Sequence, residues 1–258
     1  MAPPVSLERD GALAVITLDR PPLNLFDEAM LDALRAAVAD VADDPPRGLL
    51  IRANGRVVSG GVDVHLFDGL DVDDAAALWR ELLALIHAVE ELPLPTVFAA
   101  HALCLTAAFE LALGCDLLLA AESARFGLVE TVVGLTPAMG GTQRLAERAG
   151  PARARELVMT GELFDATTLE RWNVVNRVLP DEGFADAALA FARGLAEGPT
   201  RAHAATKAIV RAHVEGGARA ADERVPELAG DLFATEDLRG AVRSFLERGP
   251  GHATYRGR

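Results

Sequence analysis

An α/β fold is predicted by three observations. Apolar strand-like runs alternate with helical patterns between residues 12 and 120, strand signals thin out after about residue 140, and helical patterns fill the rest of the chain. Residues 12–18, ALAVITL, follow an Asp10-Gly11 turn and are read as a strand. Residues 27–41 carry Met30, Leu31, Leu34 and Val38 at helical spacing and stop at a DDPP sequence, which predicts a helix. GLLIR at 48–52 is a short buried strand, so the first three elements make a β–α–β run. The alternation continues with a helix over 75–91, a strand over 96–100, a helix over 107–113 and a strand over 116–120. The acidic, Gly-containing segment 68–74 is expected to be a mobile loop. Beyond it, helices are expected over 141–148, 152–160, 166–172, 185–197, 200–214, 219–232 and 235–248, the last ending at Gly-Pro-Gly. The apolar stripes of this C-terminal half suggest packing against another subunit.

Half of the 258 residues are apolar and 24% are charged, a composition that can bury a sizeable core. The formal net charge of −13 argues against a nucleic-acid-binding surface, where basic stripes are the usual footprint. An anionic ligand would need a local basic patch or backbone N–H groups. Cys104 and Cys115 form no CxxC pair and sit among apolar residues, so both are expected as buried, reduced thiols. The N-terminal MAPPVSLERDG has no basic segment followed by an apolar one, and no run of about 18 apolar residues occurs, so a cytoplasmic protein without membrane contact is expected. No GxSxG elbow surrounds Ser59, and no GxGxxG follows a first strand, which argues against a serine hydrolase and a dinucleotide oxidoreductase. The histidines at 87, 101, 203, 213 and 252 lack metal-ligand spacing, and no metal is expected.

The most informative stretch is 101–145, HALCLTAAFELALGCDLLLAAESARFGLVETVVGLTPAMGGTQRL. It places Glu110 just after the small residues Thr106, Ala107 and Ala108, and Glu130 beyond an apolar stretch. Two carboxylates next to N–H groups at a helix start could do acid–base chemistry beside a stabilised oxyanion.

These residues, with PPLNLFDEAM near the N-terminus and FATEDLRGAVRSFLERG near the C-terminus, resemble the enoyl-CoA hydratase/isomerase (crotonase) family over nearly the whole chain. The resemblance implies a spiral of β-β-α units over 1–197, holding the active site. It further implies a C-terminal helical region over 198–258 that packs on the core and on a neighbouring subunit of a homotrimer or homohexamer. VSGGVD at 58–63 matches the family's SAGAD-like segment, which makes Val62 one backbone N–H donor of an oxyanion hole. HALCLTAAFELA matches the family's NGxALGGGxELA turn, which makes Ala107 the second donor. All three glycines of that turn are replaced here. If any of these positions needs a positive φ, Thr or Ala there is strained; either the turn takes ordinary dihedrals or the pocket is shifted.

By the same resemblance Glu130 handles the proton at the α-carbon and Glu110 positions and activates water. The glycines at 134, 140 and 141 are read as turn and helix-cap residues. Gly61, Asp63, His65, Phe233 and Arg248 are assigned to CoA or acyl binding. His65 stands where many members carry a Lys, and Phe233 matches an aromatic bordering the acyl pocket. The implied activity is enoyl-CoA hydration of an acyl-CoA substrate, with no cofactor beyond the CoA thioester. An isomerase, which needs one of the two glutamates, or another acyl-CoA reaction of the family, and an acyl-CoA-binding member with little turnover are the alternatives.

Overall fold

The computed structural model describes residues 3–258. In chain order the elements are β1 (Val5–Asp10), β2 (Leu13–Leu18), α1 (Glu28–Asp43), β3 (Gly48–Ala53), α2 (Val72–Glu91), β4 (Thr96–Ala100), β5 (Cys104–Leu105), α3 (Ala107–Gly114), β6 (Leu117–Ala121) and β7 (Arg125–Gly127). The chain continues through α4 (Gly141–Ala149), α5 (Pro151–Thr160), β8 (Phe164–Asp165), α6 (Ala166–Arg171), β9 (Arg177–Leu179), α7 (Phe184–Ala196), α8 (Thr200–Gly230) and α9 (Glu236–Arg248).

One sheet, in the order β1-β2-β3-β4-β6-β9, is parallel except for the β1/β2 hairpin. All six residues of β2 and all five of β4 are buried. Strands covered on both faces read as unbroken apolar runs, which is why they stand out in the sequence. The antiparallel edge strand β1 was not expected: only Val5 is fully buried, and its last three residues, Glu8, Arg9 and Asp10, are exposed.

A second, small layer explains how distant residues meet. After each of β2, β3, β4 and β6 the chain touches this layer before entering a helix. Phe26, after β2, bridges to Val62, after β3; Ser59 bridges to Cys104 in β5, after β4; and β5 pairs with β7, after β6. Strand β8 then closes the layer against β7. The chain is therefore a spiral of strand, short strand or bridge, and helix. Successive turns lie one residue pairing apart, so whatever follows each short segment gathers at one edge.

Helix α1 is started by Asp27, whose side chain accepts from Met30 N, and it buries Met30, Leu31, Leu34, Val38 and Val41. Part of the expected mobile loop is instead the start of α2. Asp71 caps Asp73 and Asp74 N–H at 2.9 Å each, and the two aspartates place negative charge at the helix N-terminus. Both cysteines are free and buried, and burial pushes their thiols up.

The expected helices over 200–214 and 219–232 form one run, α8, interrupted where Gly217 takes φ 79° and ψ 179°. Helix α8 buries only Thr200, Ala205 and Ala221, and it is tied to the core by Arg47, which donates to Gly198 O and Thr200 Oγ1, and by the Lys207–Asp116 ion pair at 2.9 Å. Buried Asp237 on α9 accepts from the Arg256 and Gly257 N–H groups and holds the C-terminal tail back on the helix. No helix among the described residues is long and apolar enough to cross a membrane.

Candidate active site

Helix α3 is buried along its whole length, and Glu110 is its one charged residue, 2% exposed. A carboxylate in such a place must be held by hydrogen bonds or stay protonated. Both conditions operate. Its Oε1 accepts from Met139 N and Gly141 N, each at 2.9 Å, so the start of α4 grips one oxygen. Gly141 is more than a cap residue: a Cβ there would stand 2.7 Å from Glu110 Cγ. Gly134 (φ 75°) and Gly140 (φ 96°) do occupy left-handed cap positions, as expected from the sequence.

Glu130 opens a single 3₁₀ turn directly after β7, and its Oε2 is buried with no hydrogen-bond partner among the described residues. Burial, followed by the charge of Glu130, pushes the Glu110 carboxyl up to about 8, against the pull of the two N–H groups and of Arg144. Burial pushes the Glu130 carboxyl up to about 7, opposed by its own backbone N–H. Near neutral pH the two therefore hold about one proton between them, and they titrate as a pair.

Arg144 Nε and Nη2 clamp Glu90 on α2 at 2.6 and 2.5 Å, fixing the helix whose first N–H groups hold Glu110. The arginine is 9% exposed at its side chain and Glu90 30%. Removing the carboxylate leaves a buried guanidinium unpaired. Glu90→Ala is expected to cost about 2–3 kcal/mol, less than for a fully buried pair because Glu90 reaches solvent. Urea unfolding of the two proteins measures it.

Ala107 is fully buried and is the first residue of α3, so its N–H has no intrahelical acceptor. On the neighbouring turn of the spiral the Val62 N–H donates to Thr106 Oγ1 at 3.1 Å. Thr106 stands at φ 44° and ψ −119°, outside the ordinary regions for a β-branched residue. The turn thus has a positive φ at a non-glycine residue, and the strain is of the order of 1–3 kcal/mol. Gly61, at φ 104°, lies against the same hydroxyl, and any Cβ there would run into Thr106 Oγ1. Gly61 N is held by Ser59 Oγ at 2.9 Å, and Ser59 in turn donates to Asn24 O at 2.7 Å. Ser59 is thus a buried brace.

Asp63 caps the 3₁₀ turn Val64–Phe67 through the His65 N–H and pairs with His65 Nδ1 at 2.6 Å. The pairing raises the His65 imidazole and lowers the Asp63 carboxyl, while the ring itself stays in solvent. Phe233 is 73% exposed, in a segment that packs on α8 and α9. Arg248 Nη2 donates to Ser244 Oγ and His252 O near the C-terminus. The spiral therefore gathers Gly61, Val62, Thr106, Ala107, Glu110 and Glu130, with Asp63 and His65 at the margin, and leaves Phe233 and Arg248 on the C-terminal helices. Thr106 and the Arg144–Glu90 clamp are the residues that the sequence did not single out for a role.

A cavity of about 660 Å³ lies at the other end of α3, between Leu113, Gly114 and α8, and contains neither glutamate. Its cations are already committed: Arg144 to Glu90, Lys207 to Asp116, Arg211 to Glu91 and Glu215, and Arg148 to the Leu113, Cys115 and Val174 carbonyls.

The enoyl-CoA hydratase/isomerase family model matches residues 8–255. A Mycobacterium tuberculosis protein named "Probable enoyl-CoA hydratase echA8" is 31% identical, with 98% of each chain covered. The crotonyl-CoA hydratase of Syntrophomonas wolfei is 31% identical, with 95% of each covered. The solved enoyl-CoA hydratase of Mycobacterium smegmatis superposes with a TM-score of 0.89 at 26% identity, covering 95% of this chain and 97% of that one. With its spiral, its buried carboxyl pair and these likenesses, the chain belongs to the enoyl-CoA hydratase/isomerase family.

Proposed function

We propose that this protein adds water across the 2,3 double bond of a 2-enoyl-CoA thioester. The observation that carries the reading is the pair of buried carboxyls, Glu110 and Glu130, both raised toward neutrality and set beside the start of α3. Hydration needs a group to activate water, a group to protonate the α-carbon, and donors for the enolate oxygen. Glu130, with a buried oxygen that nothing else engages, supplies the proton to the α-carbon. Glu110, oriented through its other oxygen by Met139 and Gly141, positions the water and takes its proton. The Ala107 N–H and the donor on the Val62 side hold the thioester oxygen as it gains charge. Each turnover leaves the pair's one proton on Glu110 instead of Glu130, and exchange with solvent returns a proton to Glu130 before the next, so no cofactor beyond the CoA thioester is required.

Because the productive state carries one proton on the pair, kcat is expected to peak between about pH 7 and 8. It falls on the acid side as both carboxyls protonate and on the alkaline side as both ionise. A pH–rate series on crotonyl-CoA checks this, and a rate flat from pH 5 to 9 would contradict the one-proton pair.

Gly61 and Asp63 flank the Val62 donor, and His65, Arg248 and Phe233 are assigned to the CoA and acyl ends of the substrate through the resemblance alone. The exposed apolar residues Val210 and Val214 on α8 and Val242, Phe245 and Leu246 on α9 fit burial in a homotrimer or homohexamer.

One observation favours the second reading, an acyl-CoA-binding protein with little turnover: the Val62 N–H is engaged by Thr106. Mass analysis of the product from crotonyl-CoA in ¹⁸O-water separates the two. One labelled oxygen in a 3-hydroxyacyl-CoA supports hydration. Unchanged thioester that is nevertheless bound supports the second reading, and conversion of a 3-enoyl-CoA without hydration would mean an isomerase.

A further inference from the structure

We infer that the hydroxyl of Thr106 takes the place of the Val62 N–H as the oxyanion donor, so that the thioester oxygen is held by Thr106 Oγ1–H and Ala107 N–H. The inference rests on the thioester reading of the site and specifies how this chain meets its substrate.

Thr106 is a backbone outlier. A β-branched residue at φ 44° is disfavoured, and glycine would occupy this backbone without strain. The side chain held there is in use: its oxygen accepts the Val62 N–H at 3.1 Å. A hydroxyl oxygen that accepts one hydrogen bond keeps its own proton to give. No described residue takes the Thr106 proton; the residue is 7% exposed, next to the first N–H of α3. Val62 N–H, Thr106 Oγ1–H and a ligand oxygen then form a chain in which each bond polarises the next. The hydroxyl stands between the backbone donor and the ligand, so the thioester oxygen sits about 2.7 Å from Oγ1 and is displaced from Val62 by the width of that group. No proton leaves Thr106 during the reaction; it only donates to an oxygen whose charge rises and falls. Gly61 completes the arrangement, since any side chain there would collide with the hydroxyl.

The test uses Thr106→Val, which keeps the branched shape and removes the hydroxyl, beside Thr106→Ser and Thr106→Gly. Thr106→Val is expected to lower kcat on crotonyl-CoA by about 10²–10³-fold, with butyryl-CoA binding changed less than about threefold. Thr106→Ser should stay within about threefold of wild type, which a mainly structural role of the methyl group would not allow. Thr106→Gly, with the Val62 N–H freed, should keep measurable turnover without exceeding wild type tenfold. The infrared carbonyl stretch of bound, carbonyl-labelled butyryl-CoA should move to lower frequency on wild type and Thr106→Ser and less far on Thr106→Val. Equal carbonyl frequencies in wild type and Thr106→Val, or equal kcat, would overturn the inference. So would a Thr106→Gly protein more than tenfold faster than wild type, because the hydroxyl would then be a plug. A polarised butyryl-CoA carbonyl without any crotonyl-CoA hydration would sink the hydratase reading and leave this inference standing. Failure of wild type to bind butyryl-CoA would overturn both.

Discussion

Glu130→Gln is expected to lower kcat for crotonyl-CoA hydration by about 10²–10⁴-fold while acyl-CoA binding changes by less than about threefold. Glutamine fits the same space but cannot deliver a proton to carbon. The Glu130 Oε2 atom has no partner among the described residues, so the exchange breaks no bond on which the fold depends. A uniform loss of binding and activity would instead assign Glu130 a structural part. A second readout follows from the pairing. The negative charge of Glu130 helps hold the Glu110 carboxyl up near 8, so removing it should lower the Glu110 pKa. Infrared titration of the carboxyl band in Glu130→Gln measures that shift, and an unchanged or raised value would contradict the coupling.

Glu110→Gln is expected to lose activity to a similar degree and yet to stabilise the folded protein at alkaline pH. Gln Oε1 can still accept from Met139 N and Gly141 N. The sign is opposite to that of the usual salt-bridged carboxylate. Glu110 has an ordinary value of 4.5 in the unfolded chain and about 8 in the fold. Below 4.5 both states hold the proton, and the group is neutral to stability. Between 4.5 and 8 the unfolded chain releases its proton while the folded one keeps it, so ionisation draws the protein toward unfolding. The penalty grows through that window and is complete above 8. A glutamine removes it. The expected gain is about 2–4 kcal/mol at pH 9 and less than about 1 kcal/mol at pH 5, read from urea unfolding at both values. A variant that is less stable than wild type at pH 9 would contradict the burial argument. Activity and stability move in opposite directions at this residue, as is common where a charged group is held in an apolar place for chemistry.

Much of the framework is legible in the sequence because its physics is local. The strands β2, β3, β4 and β6 are covered on both sides and show as apolar runs, and α1 and the second half of α2 show as spaced apolar residues. The edge strand β1 has Glu8, Arg9 and Asp10 facing solvent, and so lacks that signature. Strands β5, β7 and β8 are two or three residues long, too short for any periodicity, although they gather the site. The start of α2 was hidden by its own capping: Asp71, Asp73 and Asp74 look like an acidic loop until the N–H groups they face are seen. Glu110 and Glu130 were reached through family resemblance, since a lone glutamate in a sequence carries no sign of burial. The Thr106–Val62 contact joins segments 44 residues apart; the match to a glycine turn raised the question of a positive φ, but nothing in the sequence pairs Thr106 with Val62.

The most direct measurement of the central claim is the loss of enoyl-thioester absorbance with crotonyl-CoA, run side by side on wild type, Glu110→Ala and Glu130→Ala. The wild-type protein is expected to turn over crotonyl-CoA, and each substitution to lower that rate by at least about 10²-fold. Wild-type turnover that survives either substitution, or no turnover of a thioester that binds, would contradict the claim.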